Sequence, residues 1–289
     1  LPDEVNLADD LRDYREKMSD GNKKLLTQIF RFFTQADVDV CCGYAKHYLP
    51  TFKQPEVRMM LSAFAAMEAV HQEAYSLLLE TLGFRDDEYQ KFFEHKEMLD
   101  KHEYLGNFGM GTPMDIAKTM AIYSAFTEGV QLFSSFAILL NFPRHNLMKG
   151  MGQIVTWSVR DETLHVEGMS HLFRSFIQEN PDLWTDDLKY EIYCAAERTV
   201  DLEDAFINLC FEGAEVPDLT AEEIKEYIRY IADRRLLGLG MKKIFGSDVN
   251  PLPWLDYMLN GVEHTNFFEN RATEYSRAST TGNWKDIFK

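Results

Sequence analysis

The chain has 289 residues, 45% of them hydrophobic, and a formal net charge of −17 at pH 7. This length suffices for one large domain with a substantial core. The acidic balance, which no basic stretch offsets, argues against a nucleic-acid-binding protein, and the absence of a visible signal peptide predicts a soluble, cytoplasmic protein.

The spacing of apolar residues predicts helices along almost the whole chain. Proline and glycine positions mark the breaks between them. No linker or low-complexity segment divides the chain, so we expect one all-α domain that spans residues 1–289. The four cysteines form no Cys-x-x-Cys pair and are expected to be reduced core residues. The predicted helices cover residues 21–47, 55–82, 87–102, 113–140, 145–178, 186–212 and 220–245, with a last short helix near 255–275.

The first predicted helix, 21–47, carries an acidic residue on an otherwise apolar face. Asp37 shares this face with Phe30, Phe33, Cys41 and Tyr44. Because Asp and Glu are almost never fully buried without a partner or a metal ion, Asp37 is a candidate ligand. The alternative is a buried carboxylate that is hydrogen-bonded or ion-paired.

The second predicted helix, 55–82, contains a Glu-x-x-His pair, Glu68 and His71. Residues i and i+3 share one face of a helix, so this pair can direct a carboxylate and an imidazole at one point. Tyr75 follows one turn after His71 on the same face. Beside an oxidising metal site its phenol could form a radical; otherwise it is a core tyrosine whose hydroxyl finds a partner.

The predicted helix 113–140 is almost wholly apolar and carries one charge in its central part, Glu128. Together with Gln131 and several hydroxyl groups, this charge makes a membrane span the poorer interpretation of the segment. Glu128 is therefore a second single carboxylate expected in the core.

The predicted helix 145–178 supplies the second Glu-x-x-His pair, Glu162 and His165. Four helices that provide two such pairs and two single carboxylates predict a four-helix bundle with a di-iron or di-manganese carboxylate centre. Structural zinc favours cysteine-rich or histidine-rich sites and calcium favours flexible loop oxygens, so a redox-active pair of Fe or Mn ions fits better. The predicted ligands are Asp37, Glu68, His71, Glu128, Glu162 and His165.

These residues lie in segments that resemble the small, radical-generating subunit of class I ribonucleotide reductase. The matching segments are Phe32–Asp37, Met67–Tyr75, Thr127–Phe136, Arg160–His165, Tyr230–Gly240, Asn250–Trp254 and Thr265–Arg271. The resemblance implies a ferritin-like helical fold with additional helices, the same six metal ligands, and a homodimer that works with a large catalytic subunit, which in this family performs the nucleotide reduction. It also implies two metal ions, Fe, Mn or a mixed pair, and leaves room for an activating flavoprotein.

The same resemblance assigns catalytic roles to two residues. Tyr75 matches the tyrosine that holds the radical, and Asp161 matches an acid that hydrogen-bonds a ligand histidine and takes part in electron transfer. Leu132 and Phe136 fall where the family has apolar residues that shield the radical. Ser158 is polar where the family often has an aliphatic residue, so a wetter radical pocket is expected.

The family's electron-transfer tryptophan would lie just ahead of Leu1, and its docking tail is not evident after Trp284. A chain trimmed at both ends is therefore expected. Two other functions stay open from the residues: iron storage on a ferritin-like bundle, and a di-metal oxidase or hydroxylase that acts on an organic substrate. The position of Tyr75 and the length of the chain favour the reductase subunit.

Overall fold

The computed structural model describes residues 2–84, 91–105 and 109–260, and every regular element within these ranges is helical. The all-α prediction is therefore confirmed. We number the longer helices α1 to α9, and short 3-10 turns occur at Pro2–Glu4, Lys91–Glu94 and Pro181–Leu183. The helices are α1 Ala8–Glu16, α2 Asp20–Gly43, α3 Pro55–Leu82, α4 Lys96–Leu105, α5 Pro113–Arg144, α6 Lys149–Glu179, α7 Asp186–Phe211, α8 Ala221–Gly238 and α9 Pro253–Asn260.

Hydroxyl side chains begin four of these helices. The residues Ser19, Thr112, Thr185 and Thr220 each accept a hydrogen bond from the backbone N–H three residues later. Such caps satisfy donors that have no partner inside the helix. Thr220 and Glu223 form a capping box, in which each side chain accepts a bond from the other residue's backbone N–H.

The centre of the fold is a bundle of α2, α3, α5 and α6. Helix α3 packs against α2 and α6, and α6 packs along α5. Tyrosine hydroxyls join α5 to α2, since Tyr123 donates to the carbonyl of Asp39 at 2.9 Å. Helices α7 and α8 cover the opposite side of α5. This arrangement brings the four helices that carry the predicted ligands around one axis.

The long central part of helix α5 is buried on all sides, since every residue from 119 to 142 is buried. Its length and mean hydropathy of 1.2 would suit a membrane span, but its most apolar window is entirely covered by protein. A helix that is apolar all round is expected in the core of a large bundle. The structure thus accounts for this apolar segment without a membrane.

Two stretches are π-helical, which the sequence analysis did not predict. Tyr44–Tyr48 continues α2 before Leu49–Thr51, and Met120–Gln131 forms the middle of α5. Wider turns of this kind change the direction of the side chains and are frequent at functional sites. The residue Glu128 lies in the second of them.

The predicted start of helix 145–178 is wrong by four residues, because the backbone first turns through Asn146 and Met148 at positive φ, 60° and 52°. Helix 220–245 is predicted seven residues too long. It ends at Gly238, since Gly240 adopts φ +82° and the side chain of Asp233 accepts bonds from the backbone of the following turn.

The sequence analysis missed α1, whose acidic side chains hold the start of α6. Asp10 accepts bonds from the N–H groups of Gly150 and Met151 at 2.9 and 2.8 Å, and Asp13 accepts one from Met148 at 3.1 Å. Carboxylates suit this position because a helix N-terminus offers free N–H donors and a partial positive charge.

Some predictions fall partly outside the described ranges. Only Lys91–Glu94 and Lys96–Leu105 represent the predicted helix 87–102, and they are separate elements. The predicted last helix is described only as Pro253–Asn260, and the segments Thr265–Arg271 and Trp284 lie beyond it. All four cysteines are free, but only Cys210 is buried, so the expectation of core cysteines is wrong for the other three.

Candidate metal centre

The bundle brings the six predicted ligands into its interior. Helix α2 contributes Asp37, α3 contributes Glu68 and His71, α5 contributes Glu128, and α6 contributes Glu162 and His165. None of these residues is more than 4% exposed, and three of the four acidic residues are at most 1% exposed. Since isolated buried charges are costly, this convergence needs a compensating partner.

Two carboxylates lie between the two imidazoles. One oxygen of Glu68 is 2.9 Å from Nδ1 of His165, and its other oxygen is 3.5 Å from Nδ1 of His71. The oxygens of Glu162 lie 3.4 Å from Nδ1 of His71 and 3.7 Å from Nδ1 of His165. Each carboxylate therefore turns one oxygen toward each histidine, which is the geometry needed to bridge two cations.

The donor atoms form two groups that share Glu68. Its oxygens lie with donors of His71 and Glu162 in one group, and with donors of Glu128 and His165 in the other, all within 4.8 Å. Asp37 belongs to neither group of three, although its charge interacts with those of Glu68, His71 and Glu162. Five of the six predicted residues thus meet, and Asp37 borders the first group.

Most of these donor atoms lack a hydrogen-bond partner among the described residues. Buried polar atoms are normally paired, and leaving one unpaired costs roughly 1–3 kcal/mol. Oxygen and imidazole nitrogen donors suit Fe²⁺ and Mn²⁺, so the residues present fit a pair of such cations. The atoms without a well-oriented hydrogen bond are Asp37 Oδ2, both oxygens of Glu68, His71 Nδ1, Glu128 Oε1, Glu162 Oε2 and His165 Nδ1.

The pKa values reflect this crowding of charge. Burial raises the pKa of Asp37 and of Glu128 well above the ordinary range, and burial with the charge of Glu68 raises that of Glu162 to about 8. Burial opposes ionisation of Glu68, but contacts with His165 and His71 outweigh it and lower the pKa. Burial likewise opposes the charge on His71, yet Asp161, Glu162 and Glu68 raise its pKa.

Without metal, the protein is expected to lose stability as the pH rises between 4.5, the ordinary pKa of Glu162, and about 8, its folded value. The raised pKa of His71 acts in the same direction above pH 6.5. Folded chains then hold more protons than unfolded ones, so the free energy of unfolding falls with pH. The lowered pKa of Glu68 acts only below pH 4.5.

Bound cations should remove this pH dependence because they displace the same protons. Urea unfolding at pH 5.5 and pH 8, with and without Mn²⁺, measures both effects. A metal-free protein that is more stable at pH 8 than at pH 5.5 would contradict the expectation.

Tyr75 lies in an apolar pocket next to the six residues. Tyr75 is 1% exposed, and its hydroxyl donates to Ser158 Oγ at 2.9 Å. The ring of Phe33 packs against it, with the two ring centres 5.0 Å apart. Phe33 also packs against Phe136, with the two ring centres 5.2 Å apart, and Leu132 is buried. Burial raises the pKa of Tyr75. Ser158, which is polar where the family often has an aliphatic residue, thus accepts the hydrogen bond of the Tyr75 hydroxyl.

The sequence analysis did not find the contact between Tyr44 and Glu128. The Tyr44 hydroxyl donates to Oε2 of Glu128 at 3.0 Å, and its ring lies 6.0 Å from that of His165. Tyr44 stands on the same face as Asp37, but its spacing could not reveal a partner on a different helix.

Asp161 joins the buried site to the surface. Its Oδ2 lies 3.1 Å from Nε2 of His71, on the ring edge that points away from Glu68 and Glu162, and its side chain is 34% exposed. Such a carboxylate fixes the orientation and tautomer of a ligand histidine. Asp161 and His71 both line a cleft of 270 Å³ that also includes Trp157.

Comparison with known proteins identifies the family. Residues 1–251 match the family model described as ribonucleotide reductase, small chain. The chain belongs to the ribonucleotide reductase small-chain family. A relative from Invertebrate iridescent virus 3, a probable ribonucleoside-diphosphate reductase small subunit, is 47% identical over 97% of this chain and 79% of its own length.

A second small-chain relative, the ribonucleoside-diphosphate reductase subunit beta of Chlamydia pneumoniae, is 30% identical over 96% of this chain and 84% of its own. Among solved structures, the ribonucleotide reductase R2 subunit from Clostridium botulinum aligns with TM-score 0.83 at 21% identity, over 89% of this chain and 82% of that one. Dimanganese(II)-NrdF of Streptococcus sanguinis aligns with TM-score 0.74 at 22% identity, over 87% of each chain.

The two structural neighbours confirm the ferritin-like helical fold, and the family fixes the activity at the level of the small subunit of a ribonucleoside-diphosphate reductase, an oxidoreductase. The predicted family and enzyme class are confirmed.

Proposed function

We propose that this small chain holds two Fe or Mn ions, uses them to produce an oxidising equivalent, stores it at Tyr75 and passes it to a large catalytic subunit. The observation that carries the proposal is the position of Glu68 and Glu162, each with one oxygen toward His71 and the other toward His165. A single cation would not require two such carboxylates.

In this proposal Glu68, His71 and Glu162, bordered by Asp37, would hold one cation, and Glu68, Glu128 and His165 would hold the other. Glu68 reaches both, since its oxygens belong to both groups of donors. When bound, the metal pair supplies one-electron oxidation chemistry driven by a small oxygen species. Iron and manganese share this donor set, so the residues themselves do not select between them.

The protein's own contribution at Tyr75 is to keep the phenol protonated and dry. A phenol is protonated at neutral pH, and burial raises the pKa of Tyr75 further, so oxidation must remove the proton and the electron together. Phe33 covers the ring, which excludes water and small reductants. Ser158 holds the hydroxyl in one orientation through its accepted hydrogen bond.

We infer that Asp161 links the site to the partner. Asp161 contacts Nε2 of His71 and is partly exposed at the cleft. Asp161 and His71 therefore offer a short polar route for an electron between the surface and the candidate metal centre. The large subunit is the expected partner because the family is a small chain. An activating flavoprotein and a cytoplasmic location stay predictions.

A homodimer is proposed from the outer face of α3. This face is exposed and made of small or apolar residues at helical spacing: Met59, Ser62, Ala63, Ala66, Ala69 and Val70. An uncharged stripe of this length on one helix is typical of an interface. The mass of the protein in solution, measured by light scattering, distinguishes a dimer from a monomer.

Iron storage and direct oxidation of an organic substrate are disfavoured, because the family model covers residues 1–251 and the family is a reductase subunit. The test is to load the protein with Fe²⁺ and O₂ or with Mn²⁺, count the metals, and assay deoxyribonucleotide formation with its large subunit. We expect two metals per chain and turnover only in the mixture. Fewer than two metals, or turnover by this chain alone, would contradict the proposal.

A further inference from the structure

The π-helical segment Met120–Gln131, which carries Glu128, is held at its C-terminal end by two cationic side chains. The segment ends at Leu132, where the backbone passes into the α-helix Phe133–Arg144. Near this junction, two backbone carbonyls, on Gly129 and Gln131, receive side-chain donors from other helices.

The first donor is Arg235 of α8. Its Nε donates to the carbonyl of Gly129 at 2.9 Å, and its guanidinium lies 4.8 Å from the ring centre of Phe133. A Cβ atom on residue 129 would stand 2.8 Å from Nε of Arg235 and 3.2 Å from the side chain of Val166. A side chain at residue 129 would therefore displace Arg235 from its present position at this carbonyl.

The second donor is Lys101 of α4, which is completely buried. Its Nζ lies 3.3 Å from the carbonyl oxygen of Gln131 and 2.5 Å from Glu203, which balances its charge. Bonds from charged donors are stronger than neutral ones, especially away from water. Both bonds fall within three residues of Glu128.

We propose that Arg235 is a positioning residue for Glu128. Through its hydrogen bond to the carbonyl of Gly129, Arg235 keeps the end of the π-helical segment in register. The proposal rests on the proposed function, in which Glu128 is a metal ligand. It explains why Gly129 follows Glu128 directly and why an arginine of α8 reaches into the bundle.

Register is the physical reason that this bond matters. One residue corresponds to a rotation of roughly 100° in an α-helix of 3.6 residues per turn. If the segment relaxed toward α-helical geometry, Glu128 would turn away from Glu68 and His165. The other donor group, Glu68, His71 and Glu162, contains no residue of this segment, so it would keep its geometry.

The test is Arg235→Met, which removes the donors but keeps much of the side-chain volume over Phe133. On titration of the metal-free protein with Mn²⁺, we expect the wild type to bind two ions with a spin-coupled paramagnetic resonance signal. The variant should bind one ion tightly and show the signal of an isolated Mn²⁺. Amide exchange of metal-free protein should be faster across residues 120–132.

Arg174→Met is the matched control, because Arg174 also donates to a helix-end carbonyl, that of Gly238 in α8. It loosens the same helix without touching the π-helical segment, so two coupled Mn²⁺ ions should remain. Gly129→Ala is the second variant. It should also reduce binding to one ion, and it should add no further loss in the Arg235→Met background because the two changes act on one bond.

The inference would be overturned if Arg235→Met still bound two coupled Mn²⁺ ions and its amide exchange were unchanged. It would also be overturned if Arg235→Met and Arg174→Met both weakened the binding of the two ions equally. A wild type that binds no pair of ions contradicts the proposed function instead. The exchange measurement is made without metal, and it therefore tests the role of Arg235 in the segment independently.

Discussion

Glu68→Gln is expected to abolish the paired metal site while the bundle still folds. Glu68 is the residue that both donor groups share, and its two oxygens face different histidines. A glutamine keeps only one oxygen and puts a non-ligating amide nitrogen in the other position. Changes to residues that merely support a ligand already cost about 10–100-fold in metal affinity, so we expect a loss greater than about 100-fold.

Metal content after dialysis and Mn²⁺ titration measure this loss, and the helical circular dichroism should not change. Asp10→Asn is the matched control, because Asp10 is also a buried carboxylate of this fold, but it accepts bonds from the N–H groups at the start of α6. This control should lose stability, by about 1–3 kcal/mol for a buried polar group left without its partner, and still bind two metals. Two tightly bound metals in Glu68→Gln would refute its bridging position.

Tyr75→Phe is expected to eliminate the tyrosyl radical signal and reduce turnover with the large subunit to the background rate. Phenylalanine keeps the packing on Phe33 but has no O–H bond to lose. The fold should be little affected, because removal of one buried hydrogen bond costs about 0.5–1.5 kcal/mol and Ser158 retains its own bond to the carbonyl of Ile154 at 3.3 Å. Two metals should remain bound.

Low-temperature paramagnetic resonance of the activated protein and the turnover assay measure these effects. Tyr44→Phe is the comparison, since Tyr44 is the other buried phenol beside the site and donates to Glu128. It should keep the radical signal. A signal that persists in Tyr75→Phe and disappears in Tyr44→Phe would assign the radical to Tyr44, and full turnover of Tyr75→Phe would assign the stored equivalent to the metals.

The sequence alone predicted which helices carry the candidate ligands, because burial and the 3.6-residue period leave a direct trace in the order of residues. Glu128 stands out as a charge in an apolar helix, and the spacing of Glu68 and His71 implies a shared face. Caps of local origin, such as that of Thr220 by Glu223, were equally predictable. Each of these features involves residues within a few turns of one another.

Features that join distant segments were decided only by the tertiary structure. The hydrogen bond from Tyr44 to Glu128, the bond from Arg235 to Gly129 and the capping of α6 by Asp10 each cross more than 80 residues of sequence. Both π-helical stretches contain residues with partners elsewhere in the bundle, since Tyr44 bonds to Glu128 and Gly129 to Arg235. Periodicity records which face of a helix is buried, but it does not record which residues meet there.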